Sequence, residues 1–485
     1  MMENTLLVRL WKALPDTQRK QVSQALRSPG FNQREELIRL LDFIEKNLPA
    51  IGRKEARNRR SAIAFSKEAA FAFILSGEHA RRAKQATVFD DGKMRHLMTY
   101  LLEVIRECLA WQEWRSDATE VNLHFCRALK KIGLDDFHEK ELERARLALE
   151  KPPLRHDGYY FHRFALEQED WEMRRQKQRS GMGNVQEMIT AFGVFVAINS
   201  LRQGCTLLAQ KMLANVVVTV PYLSETLRLA GAGTFQGIAA VEAWHTSYLA
   251  LQEPGHEAHF DRLKAQLAQH GDVFPYADLR DLYILALNVC IRRINAGDKK
   301  HIREAFDLYK AGLQRGVFLE NGWLSKFTYR NVLNIAVALH EWDWALAYLQ
   351  EFQAYLPPRE RENIFKYNLA TFYFRQKDYK QALALLPHVE LGDILENFDS
   401  RRMLLLMYFE RKEWQALSYL LDSFGIYLQR HKEGGYHREM YLNLVRFLKK
   451  MLAQPSRNVE ERQKLHTEIT ETTHLAEREW LLSVL

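Results

Sequence analysis

The sequence predicts an all-α protein: a superhelical array of antiparallel helix hairpins, a solenoid, preceded by an N-terminal helical region. Three observations carry that expectation. Apolar residues recur at three- and four-residue steps through nearly every segment, the period of one helix face. Only 12 prolines and 23 glycines are spread over 485 residues, too few for a many-turned β architecture. In the C-terminal half, a small residue followed four positions later by a bulky one returns every 34 to 40 residues. A chain this long exceeds what one compact core supports, so several domains or an elongated array are expected.

The elements follow in order. In "REELIRLLDFIEKNL", Leu37, Leu40, Leu41, Ile44 and Leu48 share one helical face. Pro29 and Gly30 break the helix before it, and Asn32 can cap its start. Further helices are expected over 93–113, 118–132, 137–149, 159–179 and 185–220. Turn chemistry separates them at "KIGLDD", "EKPPLRHDG" and "SGMGN". The β-branched run "NVVVTVPY" (Asn215–Tyr222) could be a strand, but its neighbours are helical and no partner strand is visible. The expected divisions are an N-terminal helical region over 1–151, degenerate helical repeats over 152–280, clearer repeats over 281–453, and a capping helix over 454–485. The polar outer face of "ERQKLHTEITETTHLAEREWLLSVL" suits a cap.

The repeat unit is legible at Ala305/Tyr309, Ala345/Leu349, Ala382/Leu386 and Ala416/Leu420, whose alanines are 40, 37 and 34 residues apart. A small residue lets the paired helix approach closely, and the bulky one fills the space towards the next hairpin. Leu369, Ala370, Tyr373, Ala382 and Leu386, with Pro357 placed 12 residues after Ala345, resemble the tetratricopeptide repeat. The signature tryptophan of its first helix is missing, and the longer intervals imply loop insertions. The stretches "SPGFNQREELIRLLDFI", "LPPRERENIFKYNLATFYFRQKDYKQAL" and "LAEREWLL" together resemble a family of uncharacterised, all-helical bacterial proteins. That resemblance runs the full length of the chain; it implies an architecture and brings no activity.

Composition narrows the function classes. A chain 47% hydrophobic and 27% charged folds rather than staying disordered. Cys108, Cys126, Cys205 and Cys290 lie too far apart for metal or redox spacing and read as buried thiols. The N-terminus lacks the order of a secretory signal, and "AFGVFVAINSL" and "MLANVVVTVPYL" fall short of the ~20 apolar residues a membrane span needs. A cytoplasmic location follows by elimination. "AGAGTFQG", with Gly231, Gly233 and Gly237, resembles a dinucleotide phosphate loop, but a helical segment rather than a strand precedes it, so it reads as a turn. His256 and His259 lack a third ligand. No cofactor, metal or catalytic set is expected.

Two surfaces remain. The net charge is +8, and residues 51–100 hold 11 Lys/Arg against 5 Asp/Glu. Arg53, Lys54, Arg57, Arg59, Arg60, Arg81, Arg82 and Lys84 form this basic patch, either a solvated face or a footprint for an acidic protein or nucleic acid. The resemblance to tetratricopeptide repeats implies a groove lined by the first helix of each hairpin. Counting back from the alanines assigns Arg330, Asn334, Tyr367, Thr371, Arg375 and Arg401 to it. The expected function is a non-enzymatic scaffold or adaptor that binds a peptide or partner domain, with acidic partners among the candidates. The alternative is a repeat-containing regulator that binds nucleic acid through the patch.

Overall fold

The computed structural model describes residues 2–47, 65–75, 88–177, 183–211, 218–386, 389, 392–431, 435–453 and 459–485. Regular structure among them is helical apart from one two-stranded hairpin. The chain divides into two compact units: Met1–Pro153 with Gly158–Gly193, and Leu154–Asp157 with Val194–Leu485.

The first unit holds α1 (Leu6–Ala13), α2 (Asp16–Leu26), α3 (Glu35–Asn47), α4 (Lys67–Leu75) and α5 (Asp91–Ser116). It continues with α6 (Ala118–Ile132), α7 (Asp135–Glu150) and, from Gly158 on, α8 (Asp157–Lys177). Helix α3 buries Leu37, Leu40, Leu41 and Ile44 as its periodicity demands, while Leu48 lies outside the described residues. Helix α6 has its expected bounds for local reasons. The Asp117 carboxylate accepts from the N–H groups of Thr119 and Glu120, and Gly133 ends the helix in the left-handed region. One core joins α1 to α5 around Trp11, Leu40 and Leu101; a second, around Leu123, Leu142 and Leu166, joins α6 to α8.

The second unit takes up α9 (Val185–Lys211) from its residue Val194, then α10 (Leu223–Gly231), α11 (Ala239–Gln252), α12 (Glu257–His270), α13 (Tyr276–Asn295) and α14 (Lys300–Gln314). Strands β1 (Leu319–Glu320) and β2 (Trp323–Leu324) come next, then α15 (Lys326–Ala338), α16 (Trp342–Phe352), α17 (Arg361–Arg375) and α18 (Tyr379–Leu385). The chain ends with α19 (Ile394–Glu410), α20 (Trp414–Arg430), α21 (Gly435–Ala453), α22 (Val459–Glu471) and α23 (Arg478–Val484). Where one C-terminal helix was expected, residues 459–485 form two, α22 and α23. The strand alternative at Asn215–Tyr222 falls partly outside the described residues, and its described part, 218–222, is irregular.

Helix α9 departs from the expectation of no long apolar segment. Among the described residues, Val185–Gln210 is the one stretch long and apolar enough to cross a membrane. Counting only uninterrupted apolar runs missed it, because Ser200, Arg202 and Gln203 interrupt the run without ending the helix. Its stripe Val194, Ile198, Leu201 and Cys205 is buried, and Arg202 is held by Asp157 at 2.9 Å and Asp278 at 3.4 Å. All four cysteines are buried and unpaired. Burial pushes the Cys108 and Cys126 thiols up to about 11 and Cys290 to about 12, so they stay protonated and poorly nucleophilic near neutrality.

From α13 to α20 the helices pair in order: α13 with α14, α15 with α16, α17 with α18 and α19 with α20. First helices also pack on first helices, α15 on α17 and α17 on α19. Each pair is closed by the same turn. One residue adopts positive φ: Gly297 (96°), His340 (60°), Lys377 (63°) and Lys412 (58°). The next N–H then reaches back five residues, from Asp298 to Arg293, Glu341 to Ala336, Asp378 to Tyr373 and Glu413 to Tyr408, at 2.8–3.0 Å. This bond satisfies a carbonyl that the helix end would otherwise orphan. An acidic residue follows the left-handed one every time, and in the last three turns Trp342, Tyr379 or Trp414 comes next.

These turns are spaced 43, 37 and 35 residues apart. The longest interval contains the β1–β2 hairpin, whose Asn321 (φ 50°) and Gly322 (φ 82°) make a two-residue turn. The turns also correct one repeat assignment. Ala305, Ala345 and Ala382 are fully buried, but Ala416 is half-buried and the buried position is Leu417, with Leu421 one turn on. The α19–α20 turn places its core residue five positions after the left-handed residue, as at Ala345 and Ala382, so looking for alanine shifted the register by one.

A side chain in the left-handed region carries a cost that glycine avoids. Lys377→Gly and Lys412→Gly should each stabilise the protein by roughly 0.5–1 kcal/mol. Lys380→Gly, three residues away inside α18, should destabilise it by about 1 kcal/mol. Chemical denaturation of the three variants checks the signs.

Candidate functional site

A cleft of about 570 Å³ opens across the first helices of three successive pairs. Lys326 and Arg330 come from α15, and Asn363, Ile364, Tyr367 and Asn368 from α17, with Glu360 just before that helix; Gly392, Asp393 and Glu396 come from the start of α19. Local structure fixes each wall. The Asp393 carboxylate accepts from the N–H groups of Leu395 and Glu396, capping α19, and Lys326 pairs with Glu396 at 3.1 Å and Asp393 at 3.9 Å. That ion pair joins the first and third walls of the cleft.

The floor is anchored by a chain of polar contacts. The Tyr367 hydroxyl donates to Asp399 Oδ2 at 2.7 Å. Arg402 donates from Nε to Asp399 Oδ1 at 2.8 Å and from Nη1 to Glu477 Oε1 at 2.6 Å. Arg402 is buried. Burial works to raise the Asp399 carboxyl, but the Arg402 guanidinium and the Tyr367 hydroxyl outweigh it and hold it below the usual carboxylate range. The Tyr367 hydroxyl is pushed well up, first by burial and then by the Asp399 charge.

Two polar groups in the cleft are unmatched. Asn368 is 2% exposed; its Nδ2 donates to the Ile364 carbonyl at 2.8 Å, and its Oδ1 has no partner. Among the described residues, no hydrogen-bond or ion-pair partner stands opposite the half-buried Arg330 guanidinium, whose carbon lies 5.9 Å from the Phe327 ring centre. The donor fork of Arg330 is therefore left to a guest, while the Asn368 Oδ1 is an orphaned acceptor closed off from solvent.

The expected groove residues divide. Arg330 and Tyr367 line the cleft. Asn334 and Arg375 are exposed and do not line it. Thr371, expected to face outward, is 7% exposed, and its hydroxyl donates to the Tyr367 carbonyl at 2.9 Å. Arg401 turns away: it bonds Asn397 of its own helix and lies 4.0 Å over the Tyr427 ring. With the corrected register, the residue 15 before Leu417 is Arg402, the anchor of the floor. The cleft extends one turn towards the helix N-termini, to Lys326 and Asn363, rather than one turn towards Asn334 and Thr371. The basic patch, Arg53, Lys54, Arg57, Arg59, Arg60, Arg81, Arg82 and Lys84, lies outside the described residues.

The other motifs resolve simply. Helix α10 precedes the glycine stretch 231–237, which is a turn between helices. The His256 and His259 rings stack with centres 4.4 Å apart. Unforeseen was a group of His156, Asp157 and Asp278, whose ligand atoms lie within 4.8 Å of one another; the Arg202 guanidinium is paired to both carboxylates.

Removing Arg402 strips two carboxylates of their counter-charge. Their side chains are 31% and 28% exposed, so Arg402→Met should cost about 2–3 kcal/mol, below the full penalty for breaking a buried pair. Because the folded Asp399 carboxyl is held down, its stabilisation is complete above about pH 4 and is lost as pH falls through the folded value. The gap between wild type and Arg402→Met should therefore close in acid. A gap that does not vary with pH would contradict the assignment.

Comparison with protein-family models, curated proteins and solved structures finds no match for this chain, and the cleft is therefore interpreted from its own geometry.

Proposed function

We propose that α13 to α20 form a tetratricopeptide-like array and that the protein is a non-enzymatic scaffold or adaptor. Its cleft holds an extended peptide segment that carries a carboxylate, from an acidic side chain or a free C-terminus. The supporting observation is the unmatched donor fork at Arg330, on the wall of a cleft that runs across three successive first helices. A carboxylate oxygen is the complement of that guanidinium. The Lys326 charge is already engaged by Glu396 and Asp393, so Arg330 meets the guest's carboxylate, and Glu360 on the neighbouring wall accepts a backbone N–H or a basic side chain of the same segment. Helices already packed on one another lose little entropy when a guest docks, which suits a scaffold. A cytoplasmic setting, in keeping with four buried, unpaired cysteines, belongs to the same proposal.

The test is selection from a random peptide library on the purified protein, followed by titration of the selected peptides. Selected sequences should share a carboxylate. Arg330→Ala should weaken them roughly 10- to 100-fold, the loss of a charge-assisted hydrogen bond, while Arg375→Ala leaves them unchanged. Selected peptides with no carboxylate preference, or wild-type affinity in Arg330→Ala, would overturn the reading.

A further inference from the structure

We propose that a second cavity, roofed by the turn between α10 and α11, is a binding site for a small carboxylate-bearing molecule held between Arg262 and His245. The cavity has about 300 Å³ and is lined by Gly231, Gly233, Phe235, Val241, Glu242, His245 and Arg262, among others. That is the lower end of the size range of small-ligand sites.

The glycines make the room. Gly233 and Gly237 have φ of 81° and 82°, so the turn itself requires them. Gly231 is different: it is the last residue of α10 and does not take a positive φ. A Cβ built on it would meet nothing within 4 Å. Neither backbone conformation nor packing asks for glycine there, and glycine disfavours the helix it ends. Gly231 is exposed, and its missing side chain leaves the mouth of the cavity open to solvent.

The polar groups select the ligand's charge. Glu242 accepts from the Gly237 N–H at 2.9 Å, so its carboxylate is engaged by the turn. Arg262 approaches that carboxylate only to 3.9 Å, beyond hydrogen-bond reach. The carbonyls at the end of α10 are also taken: Arg228, Leu229 and Ala230 accept from Ala232, Thr234 and Gly233. A cation would find the Glu242 Oε2, which already faces the Arg262 charge at 3.9 Å, and the Gln236 amide; a carboxylate finds the Arg262 fork and an imidazole N–H. Burial, with the Arg262 and His259 charges, holds the His245 pKa below its ordinary value, so a neutral ring faces the cavity near neutrality. Phe235 and Val241 supply an apolar wall for the rest of the molecule.

The probe is 4-fluorobenzoate, observed by fluorine NMR with 4-fluorobenzamide and 4-fluorobenzylamine as neutral and cationic controls. A ligand of ~10 heavy atoms should bind with a Kd of roughly a millimolar. Fluorobenzoate should saturate and the two controls should not. Arg262→Met, which alters an exposed side chain, should weaken it about tenfold or more. Gly231→Leu, compatible with the helical backbone, should abolish it while circular dichroism shows the fold intact. The His245 ring should titrate at higher pH with fluorobenzoate bound. Arg330→Ala should leave this site untouched, which separates it from the cleft. No saturation by ~10 mM, equal binding of the benzylamine, or full binding in either site variant would overturn the proposal.

Discussion

A helical hairpin has two apolar faces and can bury only one of them against itself. From α13 to α20 the second face is covered by the next hairpin, and the left-handed turn makes this regular. In the last three hairpins that turn reverses the chain in a fixed number of residues, and so sets which face of the second helix meets its partner. Ala345, Ala382 and Leu417, each five residues past a left-handed residue, are all fully buried. Three of the four turns use a residue other than glycine, so the geometry is imposed by packing on both sides rather than by local preference.

Stacking of this kind brings one turn of each first helix to a shared surface, and the cleft follows from it. Lys326 and Glu396 belong to helices two hairpins apart, yet their charged atoms lie 3.1 Å apart. Below them, Tyr367, Asp399, Arg402 and Glu477 tie α17 and α19 to the segment before α23. Buried ionic contacts of this sort add little net stability, because desolvation offsets their attraction. Their effect is geometric: they fix the Tyr367 hydroxyl against α19, on the floor of the cleft in which Arg330 stands without a hydrogen-bond or ion-pair partner among the described residues.

Much of the architecture was legible in the sequence because it rests on periodicity. The helices around Leu37 and over 118–132, and the buried alanines at 305, 345 and 382, could be found that way. The register at α20 could not, since a search for alanine passed over Leu417, which fills the same position with a larger side chain. The better signal was the acidic–aromatic pair after the left-handed residue in three of the four turns, at Glu341–Trp342, Asp378–Tyr379 and Glu413–Trp414. Asn321–Gly322 announced the small hairpin, but four strand residues are too few to stand out against helical neighbours. Counting along a helix found Arg330 and Tyr367 but not the burial of Thr371, because which stripe faces the cleft depends on how three helices meet. Lys326 and Asn368 carry no local mark at all; only their neighbours across the cleft give them meaning.

The central claim is that a guest lies across successive first helices of the α15–α20 hairpins. Amide hydrogen exchange, measured with and without a saturating peptide selected on the protein, tests it most directly. Exchange should slow in α15, in α17 and at the start of α19, and stay unchanged in α16, α18 and α20. Protection confined to the second helices, or to the turn between α10 and α11, would contradict it.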